Sequence, residues 1–143
     1  EEKYEEEVTQ IKQQMFTVKR KFFFYKETKK CAVFGDYDTA VGMKQLLEEL
    51  GLEVNRAEIL YQTEVEEPLV AGGTEFDRMK YLKQESLLLL LGDGATIEMD
   101  YTAKSSHQVS NPNLHHIMIY PYTPFIGFRG MLYWIEKILN ISL

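Results

Sequence analysis

The chain has 143 residues, with 16 lysines and arginines against 22 aspartates and glutamates, for a formal charge of -6. A content of 45% hydrophobic and 13% aromatic residues fills a core and excludes disordered and fibrous classes, while the acidic balance excludes a general nucleic-acid backbone binder, which shows a basic surplus. The single cysteine, Cys31, excludes an internal disulfide and any cysteine-rich zinc or iron–sulfur site built by this chain alone, so a cytoplasmic protein is expected.

The longest purely apolar run is the leucine stretch 87–91, about a quarter of the roughly 20 residues a spanning helix needs. No membrane contact is expected. The N-terminus, Glu1-Glu2-Lys3-Tyr4-Glu5-Glu6-Glu7, is acidic where a signal peptide is basic. Its Met-less start fits a chain cut from something longer, and equally a processed or tagged one.

Residues 3 to about 25 contain neither Gly nor Pro. Tyr4, Val8, Ile11, Met15, Val18, Phe22 and Tyr25 alternate steps of four and three, which predicts an amphipathic helix with one continuous stripe. The stripe is expected to pack on the domain or on a partner. Cys31-Ala32-Val33-Phe34 then reads as a buried parallel strand ending at Gly35-Asp36. Asp38 or Thr39 is placed to cap a helix running to about Leu50, with Gly51 as its stop.

Leu52-Glu53-Val54 and Ala57-Glu58-Ile59-Leu60 carry the next strand, and residues 61–73 read as loop. Thr74 caps a second helix with Asp77 three residues on, and Phe76, Met79, Tyr81 and Leu82 form its inner face. Residues 86–91 form a buried strand broken by Gly92-Asp93-Gly94, followed by a helix from about 95 to 104. Residues 115–120 are expected to be the last strand, and 127 to about 141 the last helix. This alternation predicts an α/β protein with a mainly parallel sheet of about four strands and helices on both faces.

In open parallel sheets, ligands bind beyond the carboxyl ends of the strands. Three loops qualify: Gly35-Asp36-Tyr37-Asp38, Gly92-Asp93-Gly94-Ala95-Thr96 and Tyr120-Pro121-Tyr122-Thr123-Pro124. They lack the glycine-rich phosphate fingerprints, and Asp36, Asp38 and Asp93 sit where a phosphate would lie. Like charges about 4 Å apart repel by roughly 1 kcal/mol in water and about 4 at an effective dielectric of 20. The aspartates therefore read as helix caps. Neighbouring His115 and His116 on a strand point to opposite faces, so no dedicated metal site is expected. Cys31 reads as a core residue, and no catalytic residue stands out.

The closing stretch Ile126-Gly127-Phe128-Arg129-Gly130-Met131-Leu132-Tyr133-Trp134-Ile135-Glu136-Lys137-Ile138-Leu139-Asn140 resembles that of nitrogenase component 1 and its relatives, which include cofactor-assembly scaffolds and dark-operative protochlorophyllide reductase subunits. The stretch Lys29-Lys30-Cys31-Ala32-Val33-Phe34-Gly35-Asp36-Tyr37-Asp38, followed by Leu46-Leu47-Glu48-Glu49-Leu50-Gly51-Leu52-Glu53, looks like the same family's strand, turn and helix. Residues 88–94 and Ile119-Tyr120-Pro121 fall in register with two further family segments.

The resemblance implies a Rossmann-like three-layer domain at residues 29–143, the last of three in an oxidoreductase subunit, with an extra N-terminal amphipathic helix at 1–28. It also implies pairing with a homologous subunit, an iron–sulfur cluster between the two, an ATP-driven iron-protein reductase, and a metallocluster or substrate cleft among the domains. By position, Gly35, Asp36, Gly92, Asp93, Tyr120 and Gly127 would line this domain's part of that cleft. No cofactor is expected to bind this domain alone, since Cys31 matches no ligand position and no histidine matches a metallocluster ligand. The competing expectation is a standalone flavodoxin-like small-molecule-binding or regulatory domain without redox activity.

Overall fold

The computed structural model describes residues 1–25, 27, 29–99, 102–110 and 127–142. By proximity the chain divides into a helical unit, Glu1–Lys26 with Met118–Leu143, and an α/β unit, Glu27–Ile117.

The helical unit pairs α1 (Glu2–Phe23) with α5 (Gly127–Leu139). The predicted stripe supplies α1's buried residues, Ile11, Val18 and Phe22, and α5 buries Gly130, Trp134, Ile135 and Ile138. Tyr4 meets Phe128 with ring centroids 5.5 Å apart. At the other end, Lys21 Nζ donates to the carbonyl oxygens of Leu139 at 2.5 Å and Ile141 at 2.8 Å. A cation there complements the negative end of α5 and satisfies carbonyls that have no intrahelical partner.

Among the described residues the α/β unit holds five parallel strands: β1 (Lys30–Gly35), β2 (Glu53–Ile59), β3 (Val70–Ala71), β4 (Leu89–Asp93) and β5 (Ser105–Ser110), in the order β3-β2-β1-β4-β5. The crossover helices are α2 (Tyr37–Glu49), α3 (Glu75–Gln84) and α4 (Gly94–Glu98). On one sheet face Ala32, Phe34 and Leu90 pack with Leu60, Leu82 and Leu87, joined by Tyr81 and Ile97. Side chains alternate along a strand, so Cys31, Val33, Leu89 and Leu91, also buried, face the other way. The helix α2 packs on β1 and β2. The β1→β2 and β3→β4 crossovers run in opposite directions, and a uniform right hand sets α2 and α3 on opposite faces.

The described residues form a five-stranded parallel sheet, with three of the expected strands and two that were not expected. Both additions lack an apolar run: β3 has two residues, and β5 is the polar edge segment Ser-Ser-His-Gln-Val-Ser, mostly half-buried. The helix expected at 95–104 is only α4, and it ends at Glu98. Asp36, rather than Asp38 or Thr39, caps α2, accepting the Thr39 N–H at 3.3 Å. Gly51 follows α2 with φ +83°, the left-handed conformation a helix stop asks of glycine. Thr74 and Asp77 close the expected capping box on α3. Phe76, by contrast, is 67% exposed, and Arg78 takes a buried place on that helix instead. The strand expected at 115–120 lies outside the described residues.

Candidate functional site

In the five-stranded order, β1 is the point where the chain reverses its direction of travel across the sheet, from β2 and β3 on one side to β4 and β5 on the other. The crevice beyond the carboxyl ends of the two strands at such a point is the default ligand position. Cys31, Ala32 and Val33 pair with Leu89, Leu90 and Leu91, so Gly35-Asp36 and Gly92-Asp93 end adjacent strands at the same edge. Four of the six expected site residues therefore come together. Tyr120 lies outside the described residues, and Gly127 opens α5 in the helical unit with φ +69°.

Each turn hands its strand directly to a helix. Asp36 is exposed and caps α2. Asp93 is 1% exposed, and its Oδ1 accepts the Thr96 N–H at 3.2 Å and the Thr96 hydroxyl. A Cβ on Gly92 would lie 3.2 Å from both Cβ and Cγ2 of Thr96, so glycine here admits the first turn of α4. Close approach, not a positive φ, is what this position requires. Ser110, paired with Asp93 at the end of β5, lies beside Gly35: its Cβ is 3.5 Å from where a Gly35 Cβ would stand.

The edge thus gathers the ends of β1, β4 and β5, with two carboxylates and several hydroxyls. Both helix starts are already satisfied by their own aspartates, so an incoming phosphate would meet carboxylate rather than open N–H groups. This agrees with the capping role expected of the aspartates.

A second polar cluster escaped the sequence reading. Glu58, in β2, is fully buried. Its Oε2 accepts from Arg56 Nε at 2.8 Å and pairs with Arg56 Nη2 at 2.8 Å, while Oε1 accepts the Gly73 N–H at 3.0 Å. Arg78 Nη1 lies 3.7 Å from Oε1 and donates to the Gly73 carbonyl at 3.1 Å. The Arg56 guanidinium sits 4.9 Å over the Tyr81 ring, and Tyr81 Oη accepts from Asn55 at 2.9 Å. Burial, chiefly, pushes the Tyr81 hydroxyl up to about 12. The hydrogen bond from the Thr74 hydroxyl holds Asp77 below its ordinary value. The signal for this cluster was an acid inside the apolar run 57–60 with an arginine two residues earlier, on the same strand face.

Cys31 is wholly buried at the start of β1, and burial drives its thiol up to about 12. Among the described residues no three His, Cys, Asp or Glu side chains gather as a metal site. One cysteine does not fit the four-thiolate ligand set of an iron–sulfur cluster. Nor is any helix among the described residues long and apolar enough to cross a membrane.

These features define a Rossmann-like α/β domain with an open parallel sheet. The nitrogenase component 1 type oxidoreductase family matches residues 1–143, and the chain belongs to that family. The solved structure described as nitrogenase Cp1 at pH 6.5 superposes with a TM-score of 0.69 at 21% identity, over 96% of this chain and 32% of that one. At that identity the likeness is one of fold, and the chain spans about a third of that protein's length. No curated protein matches.

Proposed function

We propose that this chain is the Rossmann-like domain of a nitrogenase-component-1-like oxidoreductase subunit and that it walls a metallocluster or substrate cleft without being catalytic alone. The supporting observation is the family match along the whole chain, taken with a sheet whose direction reverses at β1. Gly35, Asp36, Gly92 and Asp93 form the wall. Gly92 leaves room for the first turn of α4, and the aspartates fix the helix starts rather than hold a ligand. The single cysteine cannot supply the four thiolates of an iron–sulfur cluster, and in this reading the cluster is held by the rest of the subunit. Its partners are the other domains of that subunit, a homologous component-1 subunit and an iron-protein reductase, all in the cytoplasm, with neither nucleic acid nor membrane involved.

The test uses the full polypeptide containing these residues, purified anaerobically. We expect iron in that polypeptide and none in the 143-residue chain. Asp36→Arg, at an exposed position of the wall, is expected to lower cofactor content or turnover while subunit pairing is kept. A parent without iron, or stoichiometric uptake of flavin by the 143-residue chain, overturns the proposal in favour of a flavodoxin-like binding domain.

A further inference from the structure

Among the described residues of the α/β unit three large apolar side chains are exposed, and all three stand at the carboxyl edge of the sheet. Tyr37 opens α2 at 50% exposure, Phe76 lies in the first turn of α3, and Tyr61, two residues past β2, is 85% exposed. Tyr61 is also the one non-glycine residue among the described ones with a positive φ, at +65°. Its turn is braced from both sides. The Leu60 N–H donates to the Gly35 carbonyl at 2.9 Å, and the Gly72 N–H donates to the Gln62 carbonyl at 3.0 Å. Glycine or asparagine would take this left-handed backbone at less cost than tyrosine. A ring so far in solvent returns little to the core. Strain held in place by its surroundings collects at positions that touch ligands.

We propose that Tyr37 and Tyr61 contact the flat face of an organic ligand in the crevice beside β1, a conjugated molecule without net negative charge. The proposal rests on the reading of this edge as a cleft wall and names what the wall takes. Neighbouring strands lie about 4.8 Å apart. The Leu60–Gly35 bond starts the two turns side by side, so both rings can engage one ligand. On the other side of β1 the edge is polar, with Asp93, Thr96 and Ser110. An apolar wall with a few placed polar groups is the usual make-up of a small-molecule site. Charge narrows the class further. Asp36 and Asp38 flank Tyr37 and both are exposed, while residues 35–39, 60–74 and 92–96 contain no lysine or arginine. An anion beside the rings therefore meets like charge without a counter-ion from these turns. A planar cation gains from the same carboxylates and from the negative faces of the rings.

The experiment is equilibrium dialysis of proflavine, a planar cation, and anthraquinone-2-sulfonate, a planar anion, against the 143-residue chain and the full polypeptide. Proflavine is expected to bind at one site, at least about tenfold tighter than the anion. Tyr61→Gly and Tyr37→Ala leave the net charge unchanged, and each is expected to weaken proflavine at least about fivefold. Asp36→Asn should narrow the preference for the cation. Tyr61→Gly relieves the left-handed backbone, so its unfolding midpoint should equal or exceed the parent's. A lower midpoint means that the ring serves the fold and overturns the proposal. Should Tyr37→Ala not fold, Tyr61→Gly alone decides. Absence of saturable binding, indifference to Tyr61→Gly, or a preference for the anion also overturns it. Binding that vanishes in the full polypeptide shows another domain covering the rings, which overturns the ligand and leaves the family reading intact. The iron assay of the parent tests that reading separately: a parent that holds iron but binds proflavine without regard to Tyr61 fails this proposal alone.

Discussion

Asp93 accepts two hydrogen bonds from Thr96, one from the backbone N–H and one from the hydroxyl, inside a buried turn. The carboxylate at the end of β4 is therefore committed to its own helix and does not await a ligand. Asp93→Ala leaves both donors buried without an acceptor, and the expected cost is about 1–3 kcal/mol. Asp93→Asn keeps an acceptor oxygen and should recover more than half of that. Urea midpoints of the two variants decide the matter. Equal stability of Asp93→Ala and the parent would show that the cap is not what holds α4.

The parts of this fold that were legible beforehand are those where local chemistry and burial agree. The apolar run from Cys31 to Phe34, the Thr74–Asp77 box and the α1 stripe each carry a signal within a few residues. What escaped depends on distant neighbours. Ser105 to Ser110 reads as polar loop, yet β4 supplies a ladder that makes it an edge strand. Asp36 lost the capping assignment because Asp38 and Thr39 are equally good capping residues, and only the strand end fixes where the helix starts. Phe76 looked like a core residue by type, but Arg78 faces the sheet because Glu58 waits there. That Gly35-Asp36 and Gly92-Asp93 end neighbouring strands follows from the apolar runs before them, whereas Ser110 beside Gly35 does not, because its strand carries no apolar run.

Glu58 ties β2 to the start of α3 through Gly73, with Arg56 and Arg78 around it. Removing one member of a buried ion cluster strands the others, at about 3–5 kcal/mol. Glu58→Ala is expected to cost in that range, and Arg78→Met less, because Arg56 still pairs with the glutamate. In hydrogen exchange the Gly73 amide should lose protection first in Glu58→Ala. If it stays as protected as in the parent, the glutamate is not the anchor of this corner.

Two glycines make a matched pair of substitutions. A Cβ on Gly72 would lie 2.8 Å from the Ile59 carbonyl oxygen and 3.1 Å from the Tyr61 nitrogen, both rigid backbone atoms. Gly42, exposed in α2, has nothing within 4 Å. Gly72→Ala is therefore expected to destabilise by about 1–3 kcal/mol through forced backbone shifts. Gly42→Ala should stabilise by roughly 0.5–1 kcal/mol, since alanine restricts the unfolded chain and favours helix. Thermal midpoints moving in opposite directions are the expected result, and a shift of the same sign for both contradicts the packing at Gly72.

Burial raises the Cys31 thiol from its ordinary 9.0 to about 12, and the Tyr81 hydroxyl from 10.0 to about 12. Between those values the unfolded chain gives up protons that the folded chain keeps. The unfolded state then binds fewer protons, so stability falls as pH rises, beginning near 9 with Cys31 and near 10 with Tyr81. Below 9 both groups are neutral in either state and this contribution is flat. Cys31→Ala also removes core volume, so the informative quantity is the slope of stability against pH and not its level. That slope should begin about one pH unit later in Cys31→Ala than in the parent. Native protein at about pH 8 should react with a thiol reagent only as fast as it unfolds, because the reactive thiolate is suppressed and enclosed. Rapid labelling of the folded chain, or identical slopes for parent and variant, would mean that Cys31 is open to solvent and that β1 does not begin inside the core.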